Sequence, residues 1–185
     1  FLAAGAQVVI CGRSQPEQLP GASGREATFV ACDVRDYGQI EACTEQLLAR
    51  FGRLDVLVNN AGGAPRADAA TASPRFSEAI IRLNLIAPLN FSQVANRIMQ
   101  EQDSGGCIIN IASVSTLRPS PGTAAYGAAK AGLVNLGTSL AVAVFSVSSS
   151  IVRHSRQKRV LWRMVPYLAP GSMAGGYISK NARMA

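Results

Sequence analysis

Two segments decide the fold of this chain: Cys107-Ile-Ile-Asn-Ile-Ala-Ser113 and, thirteen residues after that serine, Tyr126-Gly-Ala-Ala-Lys130. The first segment is a short apolar run, typical of a buried β-strand. The second lies in an Ala- and Leu-rich stretch from Ala124 to Val142, which predicts a helix. A strand followed by a long helix is the repeating unit of α/β proteins.

The spacing of Tyr126 and Lys130 gives the helix a candidate chemistry. Residues four apart lie on one face of a helix, one turn from each other. An ammonium group beside a phenol favours the charged form of the phenol, which suits acid–base work near neutral pH. We expect Ser113, at the strand end, to point its hydroxyl into a cleft. On its own, a Tyr–Lys pair of this spacing is more often a solvated surface pair.

Strands and helices also alternate through the first part of the chain. Asp36 is placed to cap a helix that ends at Gly52, and a long helical region is expected to bend at Pro88. Residues 14–25, rich in Pro, Gly and Ser, predict a loop. Further strands are predicted at Ala6–Cys11, 27–33 and 54–59, and the long helical region at 73–102. The repetition predicts an α/β fold with a Rossmann-like, doubly wound parallel sheet and helices on both faces.

Polar residues follow several of the predicted strands. Arg13, Asp33, Asn60 and Ser113 all lie at or just beyond a strand end. In doubly wound sheets, ligands bind at the carboxyl ends of the strands. These residues are therefore expected to contribute to one site.

Composition limits the class of protein. The chain has 185 residues, of which 48% are hydrophobic and 16% charged, as expected for one globular domain. No apolar run is long enough for a membrane span, so no membrane partner is expected. The four cysteines form no CxxC pair and have one histidine to join them, so we expect core thiols and no metal site.

The net charge of +7 is confined to the C-terminal part of the chain. Residues 1–143 carry 11 basic and 11 acidic residues, whereas 144–185 carry 7 basic residues and no acid. We interpret 143–185 as an atypical basic tail, either a disordered arm or the product of a shifted reading frame. A nucleic-acid partner is not expected, because the basic cluster has no recognised module around it. That cluster consists of Arg153, Arg156, Lys158, Arg159 and Arg163.

Five motifs, in order and spacing, make residues 1–142 similar to the short-chain dehydrogenases/reductases. Each motif is ordinary by itself, and the set is specific. They are Asp33-Val34, Asn59-Asn60-Ala61-Gly62, Asn84 within Arg82–Pro88, Asn110-Ile-Ala-Ser113 and Tyr126-Gly-Ala-Ala-Lys130. The resemblance implies an oxidoreductase that interconverts a ketone and a secondary alcohol by hydride transfer.

The same resemblance implies a catalytic role for four residues. Tyr126 would be the general acid/base, and Lys130 would tune it and bind the nicotinamide ribose. Ser113 would hydrogen-bond the substrate oxygen, and Asn84 would hold a water that connects Lys130 to solvent. A small carbonyl or alcohol compound would be the partner, in a cytoplasmic protein whose full-length form is a homo-oligomer.

The remaining implied residues bind the cofactor. Asp33 and Val34 would meet the adenine, and Asn60, Ala61 and Gly62 would bring backbone close to the dinucleotide. Tyr126 and Lys130 would contact it as well. Asn59 is expected to brace the sheet instead.

Arg13 decides which cofactor we expect. A cation beside Gly12, where an acid would bind the ribose 2′-hydroxyl, suits a 2′-phosphate. We therefore expect NADP(H), with NAD(H) as the alternative.

Two departures from the family pattern lead us to expect a truncated copy. The family's first strand and glycine-rich turn do not precede Ala6, which would leave a gap in the sheet. The strand that follows the tyrosine helix is missing too, and Ala169-Pro170-Gly171 imitates its turn too late in the chain. The alternative hypothesis is a catalytically inactive fold remnant without nucleotide binding.

Overall fold

The computed structural model describes residues 1–118 and 120–146, with side chains to residue 138. Residues Phe1–Leu136 form one compact unit, and a second unit begins at Gly137. Apart from the helical backbone to Ser146, the predicted basic tail lies outside the described residues, as does the basic cluster of Arg153 to Arg163.

Two parallel strand pairs carry the fold. In the first pair, β1 (Val9–Gly12) runs beside β4 (Thr28–Ala31), with Cys11 opposite Val30. In the second pair, β5 (Val56–Asn59) runs beside β6 (Cys107–Asn110), with Asn59 opposite Asn110. With the helices between them, these pairs confirm the predicted Rossmann-like α/β class.

The loop predicted at residues 14–25 contains a small hairpin instead. It pairs β2 (Gly21–Ala22) with β3 (Arg25–Glu26) in antiparallel register. Ser23 and Gly24, between the two strands, both have positive φ, at 53° and 73°. Two central residues of positive φ make a turn whose twist matches that of paired strands. Because a serine rarely adopts this conformation, the sequence gives little sign of the hairpin.

The first long helix agrees closely with its prediction. Helix α1 (Tyr37–Phe51) begins after Asp36, whose carboxylate accepts a hydrogen bond from the Gln39 amide. It ends at Gly52 in a left-handed conformation at φ 73°. Both ends follow from ordinary capping chemistry.

The long helical region is interrupted by a wide turn. Helix α2 (Pro74–Ile81) leads into a π-helical turn, Arg82–Ile86, which continues as α3 (Ala87–Glu101). Pro88 has no N–H to donate to the carbonyl of Asn84, so the regular hydrogen-bond ladder fails there. π turns inside helices occur often at functional sites. A π-helical turn therefore lies just before Pro88, where the sequence predicts a bend, and it contains Asn84.

The last described helix, α4 (Ala124–Ser146), carries Tyr126 and Lys130 on its first two turns. Among the described helices, none combines the length and apolar character needed to cross a bilayer.

The core is divided between the two strand pairs. One apolar cluster joins β4 to α1 and α3, through Val30, Cys32, Ile40, Cys43 and Val94. The other joins β5 to α3, through Leu54, Leu57, Ala95 and Met99. Between β1 and β5 lies a cavity of about 760 Å³, lined by residues of both strands. In the described part of the chain the two pairs are not hydrogen-bonded to each other.

Candidate functional site

Asn84 fastens the turn after β5 to the helix behind it. Its side chain is fully buried, and its amide donates to the carbonyls of Gly63 and Ile80, each at 2.9 Å. Its oxygen accepts a hydrogen bond from the Gly63 amide at 2.9 Å. A Cβ built on Gly62 would lie 2.7 Å from the Asn84 oxygen and 3.3 Å from the Lys130 ammonium. A side chain at position 62 would therefore collide with the Asn84 oxygen and crowd the Lys130 ammonium, so this position requires a glycine.

Lys130 is a buried cation, with 3% of its surface exposed. Its ammonium donates a hydrogen bond to the main-chain carbonyl of Ile111, just past the end of β6, at 2.8 Å. The same nitrogen lies 5.8 Å from the centre of the Tyr126 ring. Helix α4 thus brings the predicted lysine and tyrosine together at the end of the strand, rather than exposing them on its surface.

Ser113 begins a short 3₁₀ turn, Val114–Thr116, and its hydroxyl accepts a hydrogen bond from the Ser115 amide at 3.2 Å. A Cβ on Gly127 would lie 3.2 Å from the Ser115 carbonyl, so α4 packs closely against this turn. Tyr126 is half-buried and lines a small cavity of about 50 Å³ together with Phe76. Ser113, Tyr126 and Lys130 therefore belong to one region at the carboxyl end of β6.

A second group lies at the carboxyl ends of β1 and β4. Arg35 binds the Asp33 carboxylate through two nitrogens, at 2.9 and 2.5 Å. The Arg35 guanidinium lowers the pKa of Asp33 to about 2, and Arg13 adds a smaller effect in the same direction. Arg13 is exposed and lies two residues past Cys11, at the end of β1.

The other predicted cofactor residues border the large cavity. Val34, Asn60 and Ala61 all line it. Asn59 points elsewhere: its buried side-chain amide donates to the Asn110 oxygen at 2.8 Å and to the Ser92 hydroxyl at 3.0 Å. These contacts join β5, β6 and α3, which is the bracing role expected for Asn59.

Two features of this region were not predicted. The Asp33–Arg35 pair follows from opposite charges two residues apart, a signal that the sequence does contain. The other is a cluster of three thiols, Cys11, Cys32 and Cys43, whose sulfurs all lie within 4.8 Å of one another. Their spacing along the chain gave no signal, because the register of β1 and β4 and the packing of helix α1 bring them together.

Comparison with known proteins identifies the family of this chain. Residues 1–149 match the short chain dehydrogenase family. The chain belongs to the short-chain dehydrogenase/reductase family. This match confirms the family expected from the five motifs. Members of the family are oxidoreductases that typically depend on NAD(P).

Individual relatives agree with the family match. A short chain dehydrogenase/reductase (dpchG) of Colletotrichum higginsianum is 38% identical over 149 residues, covering 76% of this chain and 55% of the relative. A solved short-chain dehydrogenase/reductase from Burkholderia xenovorans superposes with a TM-score of 0.71 at 30% identity, covering 79% of this chain and 60% of that one.

A third comparison includes a bound cofactor. The gluconate 5-dehydrogenase of Burkholderia cenocepacia, solved with NADP and tartrate, superposes with a TM-score of 0.68 at 32% identity. The match covers 76% of this chain and 57% of that protein. The chain thus spans between half and two thirds of the length of these three short-chain dehydrogenases.

Proposed function

We propose that this chain carries the catalytic site of an NADP(H)-dependent oxidoreductase that interconverts a ketone and a secondary alcohol. Lys130 is the observation that carries the proposal. In the described part of the chain no carboxylate forms an ion pair with its ammonium, which has the Ile111 carbonyl as its hydrogen-bond partner. Burying a cation with one neutral acceptor is costly. Because the ammonium lies beside Tyr126, we attribute its burial to a role in proton transfer by that tyrosine.

Tyr126 is the proposed general acid/base. NADP(H), when bound, supplies or accepts the hydride at the carbonyl carbon. In reduction the Tyr126 hydroxyl gives its proton to the substrate oxygen, and in oxidation the phenolate takes that proton back. The Lys130 ammonium stabilises the phenolate between these steps and would bind the ribose of the cofactor.

Ser113 and Asn84 support this proton transfer. Ser113, at the start of the turn after β6, hydrogen-bonds the substrate oxygen and stabilises the charge that develops on it. Asn84 holds the Gly63 backbone in place, and it would also hold a water that connects Lys130 to solvent. The first role of Asn84 uses hydrogen bonds at 2.9 Å, and the second would use the remaining lone pair of its oxygen.

Arg13 is the proposed determinant for NADP(H) over NAD(H). An exposed guanidinium past the end of β1 can make a charge-assisted contact to a 2′-phosphate. Arg35 neutralises the Asp33 carboxylate nearby, which reduces the repulsion that a free carboxylate would exert on the phosphate. Asp33 and Val34 would contact the adenine, and Asn60, Ala61 and Gly62 would contact the dinucleotide through backbone.

One observation favours a second hypothesis, that residues 1–185 by themselves neither bind the dinucleotide tightly nor turn over. The 760 Å³ cavity separates β1, which precedes Arg13, from β5, which precedes Asn60. The two halves of the cofactor site therefore sit on strand pairs that share no backbone hydrogen bond.

We further propose a cytoplasmic, homo-oligomeric whole protein that acts on a small-molecule substrate.

A chimera tests the site separately from the gap. Residues 1–142 are joined to the flanking segments of the B. cenocepacia gluconate 5-dehydrogenase, and NADPH oxidation is measured with a panel of small ketones. We expect turnover in the chimera and none with residues 1–185. A folded chimera that reduces no ketone with NADPH or NADH would overturn the proposed function. Turnover by residues 1–185 would overturn the second hypothesis.

A further inference from the structure

The three-cysteine cluster lies outside the proposed catalytic site, between the first strand pair and helix α1. Because Cys11 is opposite Val30 on β4, the side chain two residues on, Cys32, faces the same side of the sheet as Cys11. Cys43 lies on the buried face of α1 that packs over this side. Three separate elements thus converge on one point, where each supplies a sulfur.

We propose that Cys11, Cys32 and Cys43 form a three-thiolate site for a soft divalent metal ion, with Zn²⁺ as its ligand. Zinc–thiolate bonds are about 2.3 Å long, which places the sulfurs of one tetrahedral site about 3.8 Å apart. The three sulfurs already lie within 4.8 Å of one another. A change of less than about 1 Å in side-chain position is enough to close the site.

The surroundings of the cluster fit an ion that enters from solvent. Cys32 and Cys43 are buried, with 2% and 4% of their surface exposed, whereas Cys11 is exposed. Cys11 and Cys43 both line the 760 Å³ cavity. An ion held by the three sulfurs therefore has a fourth coordination position that water can fill from the cavity.

The thiols differ in how readily they give up their protons. The Cys43 thiol, hydrogen-bonded to Cys11, lowers the pKa of Cys11 to about 7, and burial raises the pKa of Cys32 to about 11. The same contact with Cys11 raises the pKa of Cys43. Each of the three sulfurs would bind zinc as a thiolate, so its thiol proton passes to solvent, and neither metal nor sulfur changes oxidation state.

Three thiolates are preferred over other donors by zinc and by copper(I). The charge of the closed site favours the divalent ion, because three thiolates and Zn²⁺ leave a single negative charge, whereas Cu(I) leaves two. A smaller buried charge is less costly to hold away from water. The ion would cross-link β1, β4 and α1, so binding would stabilise this half of the fold.

The test titrates purified, untagged residues 1–185 with Zn²⁺ under a phosphine reductant, and with Co²⁺ as an optical reporter. We expect a single ion per chain, thiolate-to-cobalt absorption in the near ultraviolet, and an increase in melting temperature. Cys11→Ser, at the exposed position, should weaken zinc binding by about 100-fold or more without unfolding the chain. Cys107→Ser, which removes the cysteine outside the cluster, is the matched control and should bind as the original chain does.

Two results would overturn the proposal. One is the absence of zinc binding in the folded original chain. The other is binding that Cys11→Ser leaves unchanged, because the ion would then be held by Cys107, by the histidine or by surface groups. The variants touch no residue of the proposed oxidoreductase site, so failure here leaves the proposed function unaffected.

Discussion

The Lys130 ammonium donates a hydrogen bond to the Ile111 carbonyl at 2.8 Å, and this contact ties the first turns of α4 to the end of β6. Lys130 is 3% exposed, and its nitrogen lies 5.8 Å from the centre of the Tyr126 ring. The contact fixes the position of a cation whose distance to the tyrosine sets the proposed chemistry.

Replacing Lys130 separates its chemical role from its packing. Lys130→Met keeps the length of the side chain and removes the charge, so it leaves the Ile111 carbonyl unpaired but also removes a buried ammonium. We expect the chimera to remain folded and to lose ketone reduction by about 100-fold or more. Circular dichroism and NADPH oxidation measure the two effects. A folded Lys130→Met chimera with full turnover would contradict the role given to the lysine.

Gly62→Ala tests the close packing of the Asn84 and Lys130 side chains against the backbone at Gly62. The added methyl would lie 2.7 Å from the Asn84 oxygen. That oxygen accepts a hydrogen bond from the Gly63 amide, so it cannot move away without weakening this bond. We expect a loss of about 1–3 kcal/mol in the free energy of unfolding of residues 1–185, measured with urea. We also expect lower turnover in the chimera.

The matched control for this glycine is Gly38→Ala in helix α1. A Cβ on Gly38 would lie 3.5 Å from the Asp36 carboxylate, an ordinary contact. Since alanine favours a helix over glycine, stability should stay the same or rise by up to about 1 kcal/mol. Equal losses for both glycines would mean that the position of Gly62 is not special.

Arg13→Ala tests the cofactor preference. Loss of a charge-assisted contact to the 2′-phosphate should raise the dissociation constant of NADPH in the chimera by about 10- to 150-fold and change that of NADH little. Arg97→Ala, which removes an exposed arginine that contacts Tyr37 and Glu41, should change neither. Equal weakening of NADPH and NADH by Arg13→Ala would show that the arginine does not select the cofactor.

Asp33 predicts a pH dependence of stability. Its pKa is lowered to about 2 by Arg35, below the ordinary value of 3.8. A lowered pKa means that the carboxylate stabilises the folded state above about pH 4, and that this contribution is lost as the pH falls toward 2. The free energy of unfolding of residues 1–185, measured with urea, should fall as the pH is lowered over this range. It should fall less in Asp33→Asn and Arg35→Gln. If the free energy of unfolding changed with pH in the same way in the original chain and in both variants, the Asp33–Arg35 pair would be excluded as the cause of the pH dependence.

The sequence predicts most elements because their local signals agree with the final fold. Helix α1 begins after Asp36 and ends at Gly52, where an oxygen cap and a glycine favour those ends. The wide turn at Arg82–Ile86 follows from the missing N–H of Pro88. The candidate site was predictable for a similar reason, since Tyr126 and Lys130 share a helix face at any tertiary arrangement.

What the sequence did not predict depends on contacts between distant residues or on unusual backbone. The hairpin at Gly21–Glu26 requires a positive φ at Ser23, which serine rarely adopts. The cysteine cluster depends on the register between β1 and β4 and on the face of α1 that packs there. Spacings of 21 and 11 residues between Cys11, Cys32 and Cys43 carry no sign of that convergence.

The central claim, hydride transfer with Tyr126 as the proton donor, is tested most directly by isotope transfer in the chimera. NADPH labelled with deuterium at the nicotinamide C4 position is mixed with a ketone, and the alcohol product is analysed by mass spectrometry. We predict deuterium on the carbinol carbon of the alcohol. Tyr126→Phe should form no labelled alcohol but still bind NADPH, and the control Tyr37→Phe should label the alcohol normally. Labelled alcohol formed at an undiminished rate by Tyr126→Phe would contradict the account.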